Sequence, residues 1–222
     1  MTRAVLLAAV AAAFAAGVAL ASAAKDPNAP TQRHTAADTQ LAKKLGLRRG
    51  DLGAGWAAAK PEKDSPPCKG SPDESALVQT GRVDPSFTWR DGVTTVGSEV
   101  DVFRSKREAL KDWRLSTFAL TKTCLLQSAR VGLGKGVRVS IAGGAELPPP
   151  KGAERGLHYR LVFAVRSKAR TLSLVTDVVA VGRGRITVVL HTLTVARPLP
   201  GTVAGPLVAT LADRLNGGRK GA

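Results

Sequence analysis

The sequence predicts an α+β protein, an antiparallel sheet of about six strands with helices packed against it and one disulfide. Three observations support this class: β-rich segments separated by turn residues, helical spacing of apolar residues in other stretches, and two cysteines behind an export signal. With 222 residues, 44% of them hydrophobic, the chain can bury a core, which excludes wholesale disorder. We expect residues 36–217 to form a single domain.

The N-terminus has the pattern of a secretory signal peptide. Arg3 precedes an uncharged run from Ala4 to Leu20, and small residues follow it up to Ala23. We therefore expect residues 1–23 to be removed and the protein to be secreted or extracytoplasmic. The alternative is an uncleaved N-terminal membrane anchor, although the Ala-rich run is short for a spanning helix. Residues 24–35 are polar and are predicted to be a flexible lead.

Export gives the two cysteines a specific interpretation. In an oxidising compartment an even pair is most simply a disulfide, here Cys68 to Cys124. The competing interpretation, a reactive thiol, needs a basic partner at a defined spacing, and the sequence shows none.

The first half of the domain begins with a helix and continues with strands. Leu41 and Leu45 have i, i+4 spacing, which predicts a helix over 36–45. A Gly-rich turn at 50–56 and a Pro-rich loop at 57–75 follow. Strands are predicted at 77–83, 86–90 and 93–103, with Asp91-Gly92 as a hairpin turn.

The middle of the chain predicts one long helix. Ser105 and Glu108 form a capping box at its start. Apolar residues and Cys124 then recur at alternating spacings of three and four, which places Trp113 and Cys124 on the buried face. Glycines at 132, 134 and 136 end the helix, and 137–142 is a further strand.

The last third predicts three hairpin-linked strands, at 157–166, 171–181 and 185–196. Their alternation places Tyr159, Val178, Val188 and Leu190 together on one core face. A closing helix follows at 203–215, and residues 218–222 are a basic tail.

The order of these landmarks resembles a group of uncharacterised secreted actinobacterial proteins. The landmarks are the "DL-x-x-GW" turn ending at Trp56, the two cysteine-bearing segments, "V-x-VF" ending at Phe103, and "V-x-RGR" ending at Arg185. More loosely, the chain is similar to the extracellular sensor domains of mycobacterial-type serine/threonine kinases. The resemblance implies binding of a ligand or partner outside the cell, and it brings no catalytic residues. Those kinase-linked domains usually carry two disulfides, whereas this chain can form one.

Catalytic and metal-binding motifs are missing from the sequence. It contains no HxH or CxxC spacing for a metal, no G-x-S-x-G nucleophile elbow and no Walker loop. We therefore expect no enzyme activity, no cofactor and no metal.

One group of polar residues is a candidate ligand site. If the hairpin turn is centred between residues 168 and 169, Arg160 lies opposite Asp177, and His191 is expected on the same face of the next strand. With His158 these residues could floor a pocket that grips an anionic ligand. The alternative is an ordinary cross-strand ion pair, and a register slip of one residue would separate the group.

The net charge of +16 is concentrated in the C-terminal part, because residues 131–222 hold fourteen basic and four acidic side chains. Arg166, Lys168 and Arg170 surround one hairpin tip, and Arg183 and Arg185 lie at the opposite end of the sheet. These residues could contact an anionic membrane or wall polymer, or they could simply keep strand edges from pairing with other chains. Nucleic acid is not an expected partner of an exported chain with so few aromatic residues.

Together these patterns predict a secreted, monomeric binding or sensor-like module for a small molecule or an envelope component. The alternative is an envelope-associated protein held by its basic sheet ends to anionic polymer or membrane. A hydrolase that uses Asp177 and His191 is a weaker third hypothesis.

Overall fold

The computed structural model describes residues 27–59, 68, 70–131, 136–168 and 170–217. The predicted signal peptide at 1–23 and the basic tail at 218–222 lie outside the described residues. Within them the chain forms four α-helices, which are α1 Ala36–Leu45, α2 Lys106–Leu115, α3 Phe118–Val131 and α4 Gly201–Leu215. It also forms nine strands, which are β1 Thr31–Gln32, β2 Trp56–Ala58, β3 Val78–Val83, β4 Ser86–Trp89, β5 Thr95–Phe103, β6 Arg138–Leu147, β7 Arg155–Arg166, β8 Thr171–Arg183 and β9 Ile186–Val195.

The α+β class is confirmed, but the sheet is larger than expected and it is mixed. Its main order is β1-β3-β5-β9-β8-β7-β6, with β4 beside β5 and β2 beside β4. All pairs are antiparallel except β1 with β3, which is parallel. The prediction of about six strands, all antiparallel, was therefore wrong in the number of strands and in their relative direction.

The extra strands come from segments without strand patterning. Thr31 and Arg33 donate backbone hydrogen bonds to the carbonyls of Leu77 and Gln79, each 2.8 Å long. This part of the predicted flexible lead is thus ordered as the edge strand β1, because the open edge of β3 offers unpaired peptide groups.

The predicted long helix is interrupted. Ser105 caps α2 by accepting a hydrogen bond from the Glu108 amide, as expected. The chain leaves the helix at Ser116, and Thr117 caps α3 through its hydroxyl, which accepts a hydrogen bond from the Leu120 amide. Thr117 therefore starts a new helix and does not belong to a continuous apolar stripe. Threonine is a frequent N-cap because its side chain competes with the backbone for such bonds.

Helices cover both faces of the sheet. On one face, α1 and α4 pack on a core of Val, Leu and Trp side chains that includes Val100, Val188 and Leu211. On the other face, α3 covers a second cluster that includes Tyr159, Leu161, Phe163 and Leu193, and α2 packs through Ala109 on a small cluster with Leu77 and Phe103. We call these the α1–α4 face and the α2–α3 face. Because both faces are buried, β8 and β9 carry apolar residues on both sides of the sheet.

This two-sided burial explains an error in the predicted core face. Arg183 pairs with Ile186, and Val178 pairs with His191, so the β8–β9 turn is one residue shorter than the sequence suggested. Val188 and Leu190 consequently lie on the α1–α4 face and not beside Tyr159 and Val178. A shift of one residue moves every side chain of a strand to the opposite face.

Candidate functional site

A cavity of about 190 Å³ lies on the α2–α3 face, between the sheet and its two covering helices. We call it the central cavity. Strands β3, β5, β7, β8 and β9 form its floor, and α2 and α3 form its roof. Its side is closed by residues 28–30, by residues 71, 72 and 74, and by the Cys68–Cys124 disulfide. The predicted disulfide is confirmed, and it stands at the wall of this cavity.

The floor of the cavity carries a buried cluster of charged groups. Glu99 and Asp101 alternate with valines along β5, so both carboxyls point to the α2–α3 face. Arg82 on β3 lies opposite Asp101 in register and forms ion pairs with Glu99 at 2.7 Å and with Asp101 at 3.3 Å. An irregular register between Gln79 and Gly81 brings Gln79 to the same face, where its amide donates to Asp101 Oδ1 at 2.5 Å.

Two oxygen atoms on this floor lack a hydrogen-bond partner within the part of the chain that the structure describes. They are Oε2 of Glu99 and the hydroxyl oxygen of Thr187. Glu99 is only 4% exposed and Thr187 is 5% exposed, so bulk water does not serve them. Buried polar groups are nearly always bonded, and two unbonded groups on one cavity floor mark a place where a bound molecule could supply the missing donors.

Burial changes the protonation of the cavity carboxyls. It raises the pKa of Glu99 well above its usual range; the Arg82 guanidinium opposes this rise and the Asp101 carboxyl adds to it. The surrounding protein also raises the pKa of Asp112 on α2, and the carboxyls of Glu74 and Asp101 add to that rise. In the empty cavity these two groups therefore hold a proton more readily than a solvated carboxyl does.

The roof of the cavity combines aromatic and polar groups. Trp113 was expected to be a core residue, but it is half-buried, lines the cavity and stacks against the Arg155 guanidinium at 5.6 Å. The Tyr159 side chain extends from β7, and its hydroxyl donates a hydrogen bond to the Ser116 carbonyl at 3.2 Å, directly after the end of α2. The break between α2 and α3 is thus fixed to the sheet beside the cavity.

The Arg160–Asp177 pair predicted from the sequence lies on the opposite, α1–α4 face. The predicted register is confirmed, because Arg160 pairs with Asp177 across β7 and β8. The guanidinium contacts both carboxylate oxygens, at 2.7 and 3.1 Å, and His158 Nε2 lies 3.4 Å from the same carboxylate. Burial tends to raise the pKa of Asp177, but hydrogen bonds from His158 and Arg160 outweigh it and hold the pKa below its usual value.

These three side chains floor an open groove of about 820 Å³ between β7, β8 and α4. Lys151 and Arg197 stand at its margin, and small residues of α4 form the far wall. The Arg160 guanidinium donates through two nitrogens to the two carboxylate oxygens of Asp177. This is the geometry of the cross-strand ion pair that the sequence left open as an alternative.

His191 does not join this group. It pairs with Val178, so its imidazole lies on the α2–α3 face, packed against Gly97 of β5. The expectation that His191 shares a face with Asp177 was wrong, because the turn between β8 and β9 has two residues and not the predicted three, which reverses the face of each β9 side chain. The separation also removes the geometric basis for a hydrolase that pairs these two residues.

The basic candidates at the two sheet ends differ in their contacts. At the β7–β8 tip, Arg166 and Lys168 are exposed and Arg170 is half-buried. At the other end, Arg185 holds both carboxylate oxygens of Asp38 and the Phe103 carbonyl, so it is an internal tie and not a free anion contact. Arg183, which is exposed, donates to Asn216 at 3.0 Å.

Sequence reasoning missed the central cavity, although one pattern pointed to it. In a chain with only 17 acidic residues, Glu99 and Asp101 occur two apart inside an apolar strand. Two carboxylates on one face of a buried strand demand a partner, here Arg82. Which residue would supply it, and that a hollow would lie above, depended on a sheet register that the sequence did not reveal.

Among the described residues there is neither a metal-binding cluster nor a helix that could span a membrane. No three His, Cys, Asp or Glu side chains converge there in a way that could hold a metal ion. No described helix has the length and apolar character needed to span a bilayer.

The fold and the cavity define an α+β domain with a buried polar site beneath its disulfide. No protein-family model matches the chain, and no curated protein matches it. Among solved structures, it is similar to the extracellular domain of PknH from Mycobacterium tuberculosis, with 12% sequence identity and a TM-score of 0.43. The similarity covers 81% of this chain and 96% of that domain.

Proposed function

We propose that this protein is an extracytoplasmic, sensor-like module that binds a small molecule in the central cavity. The observation that carries the proposal is the polar floor of the cavity, where Glu99 Oε2 and the Thr187 hydroxyl are buried without a hydrogen-bond partner in the described residues. Leaving such groups unbonded costs stability, so a site of this kind is maintained where a ligand supplies the bonds.

The disulfide supports the location of this module. A structural disulfide persists in an oxidising compartment, which fits secretion through the predicted signal peptide at 1–23. The bond also ties residue 68 to α3 beside the cavity, so that the wall is held in place while the site is empty.

The groove on the α1–α4 face is the secondary candidate within this proposal. His158, Arg160 and Asp177 floor it, but their mutual bonds already satisfy the carboxylate. We do not propose attachment to envelope polymer through the basic sheet ends, because Arg155 and Arg185 at one end are bonded internally.

The proposal is tested with three six-carbon probes of equal shape: hexylammonium, 1-hexanol and hexanoate. At least one should bind saturably, with chemical-shift changes centred on the cavity residues. Ala180→Leu should abolish this binding, because Ala180 is 4% exposed and lines the cavity, and the larger side chain occupies the space of the probe.

The matched control is Ala209→Leu, which places the same side chain on an exposed position of α4 in the opposite groove. Binding in this variant should equal that of the wild type. The proposal is wrong if none of the three probes binds, or if Ala180→Leu retains the binding while remaining folded.

A further inference from the structure

The charge of the central cavity is opposite to that of the molecule. The chain carries a net charge of +16, yet the described lining contains four carboxyl groups and a single guanidinium. The carboxyls belong to Glu74, Glu99, Asp101 and Asp112, and the guanidinium belongs to Arg82. A cavity of this composition favours a cationic guest over an anionic one, because burial strengthens every charge interaction inside it.

Both unbonded atoms on the floor are oxygens that can accept a hydrogen bond. Arg82 contacts Glu99 through Oε1, and Oε2 of the same carboxyl has no donor among the described residues. The Thr187 hydroxyl stands opposite Asp101 in the β5–β9 register, beside the pair formed by Glu99 and Val189. A guest that donates can bond to both oxygens at once, and an ammonium group offers three N–H donors and no acceptor.

The rest of the cavity lining is largely apolar and fits a guest with an apolar part. Leu157, Val178 and Ala180 project from the sheet into the cavity, and Leu120 closes it from α3. A guest that is charged at one end and apolar at the other would match both parts of the lining. Most small-molecule sites combine an apolar wall with a few placed polar groups in this way.

We infer that the central cavity selects a small ligand with a primary ammonium group on an apolar body, and that Glu99 is the direct partner of the ammonium. The inference rests on the proposed function, since it names the ligand class for the same site. A bound ammonium takes the place of the proton that the buried Glu99 carboxyl otherwise holds, and that proton leaves to solvent. A carboxylate guest would meet the Asp101 carboxylate as a like charge, and an alcohol would offer a single donor.

The order of affinities among the three probes tests the inference. Hexylammonium should bind the wild type at least about tenfold more tightly than 1-hexanol, since hydrogen bonds to charged groups are the stronger kind. Hexanoate should bind most weakly. If 1-hexanol or hexanoate binds as tightly as hexylammonium, the inference is overturned while the proposed function stands; if none binds, the proposed function itself fails.

A variant of Glu99 and a matched control test whether the ammonium binds to this carboxyl. Glu99→Gln keeps the shape of the side chain and removes its charge, and should weaken hexylammonium at least about tenfold while 1-hexanol changes little. Glu108→Gln is the matched control, because it removes the charge of another buried carboxyl, on α2, that does not line the cavity. Unchanged hexylammonium affinity in a folded Glu99→Gln protein contradicts the assignment.

Thr187→Val keeps the inference testable if Glu99→Gln does not fold. Valine has the shape of threonine and suits a strand, so this variant removes only the unbonded hydroxyl. The ratio of hexylammonium to 1-hexanol affinity should fall relative to the wild type. An unchanged ratio in this variant counts against an ammonium on the floor.

Discussion

His191 is a buried, neutral imidazole, and its position makes a specific prediction about acid stability. Burial lowers its pKa to about 4, from an ordinary value of 6.5. Its Nδ1 has no hydrogen-bond partner among the described residues, and its ring packs against Gly97. The folded protein therefore resists protonating this ring, whereas the unfolded chain does not.

The sign of the pH effect follows from this difference. Between pH 6.5 and about 4 the unfolded state binds a proton at His191 that the folded state does not. The His191 contribution to the free energy of unfolding is therefore fully present above pH 6.5. It is lost as the pH is lowered through this window, by about 3 kcal/mol at most. In His191→Leu this part of the decrease should be absent when urea unfolding is measured at several pH values.

His34→Gln serves as the control for this prediction, because His34 is exposed near the start of the described chain. Its stability should follow the wild-type pH profile. An identical profile in His191→Leu and the wild type would show that His191 does not contribute.

The local sequence predicted the position of Asp177 relative to Arg160 but not the position of His191. The Arg160–Asp177 register was predictable, because the turn residues at 167–170 fix a short hairpin. His191 was misplaced because β9 carries apolar residues on both faces, so that its pattern does not reveal which face a given side chain occupies.

At the scale of elements, the contact of α1 with β3 depends on a single glycine. A Cβ at Gly81 would collide with the Asp38 backbone of α1. Arg185 holds the Asp38 carboxylate from the turn between β8 and β9, which fixes the helix at this close approach. The helix can therefore not move away without breaking that ion pair.

Gly81→Ala should consequently destabilise the protein by about 1–3 kcal/mol, the usual range for overpacking against a rigid neighbour. Gly143→Ala is the matched control, since a Cβ on that strand glycine meets nothing within 4 Å. The control should change the unfolding free energy by less than about 0.5 kcal/mol. Equal effects of both substitutions in urea denaturation would refute this account of the α1–β3 contact.

Element identity was largely predictable and element boundaries were less so. The helix at 36–45 and the strands of the C-terminal meander follow from apolar spacing, which local chemistry imposes. The break at Ser116 and Thr117 did not follow, because a threonine in a helical pattern fits both a helix interior and an N-cap. Tyr159, more than forty residues away, fixes the break through the Ser116 carbonyl.

At the scale of the whole molecule, the Cys68–Cys124 bond restricts the unfolded chain and closes the cavity wall. The two cysteines are 56 residues apart, a loop for which chain entropy gives a stabilisation of about 3–4 kcal/mol. A Cys68→Ser, Cys124→Ser double variant should lower the unfolding free energy by that order. It should also weaken binding of hexylammonium, because residue 68 is no longer tied to α3.

The measurement is urea unfolding of the double variant together with a titration of the probe. Reduced wild type provides the control, since it has the same cross-link removed without a substitution. Free-thiol titration of the untreated, denatured wild type should find no thiol. Two titratable thiols, or a double variant as stable as the wild type, would contradict the role assigned to the bond.

The sequence by itself determined the α+β class, the disulfide, the capped start of α2 and the Arg160–Asp177 pairing. Each of these rests on residues close in sequence or on the chemistry of a single pair, and so it is visible as a pattern. Only the tertiary structure decided that Arg82, Glu99, Asp101 and Thr187 share the floor of one cavity. These residues come from three strands, of which β9 is far from β3 and β5 in the chain, and the register of those strands is set by long-range packing on two buried faces.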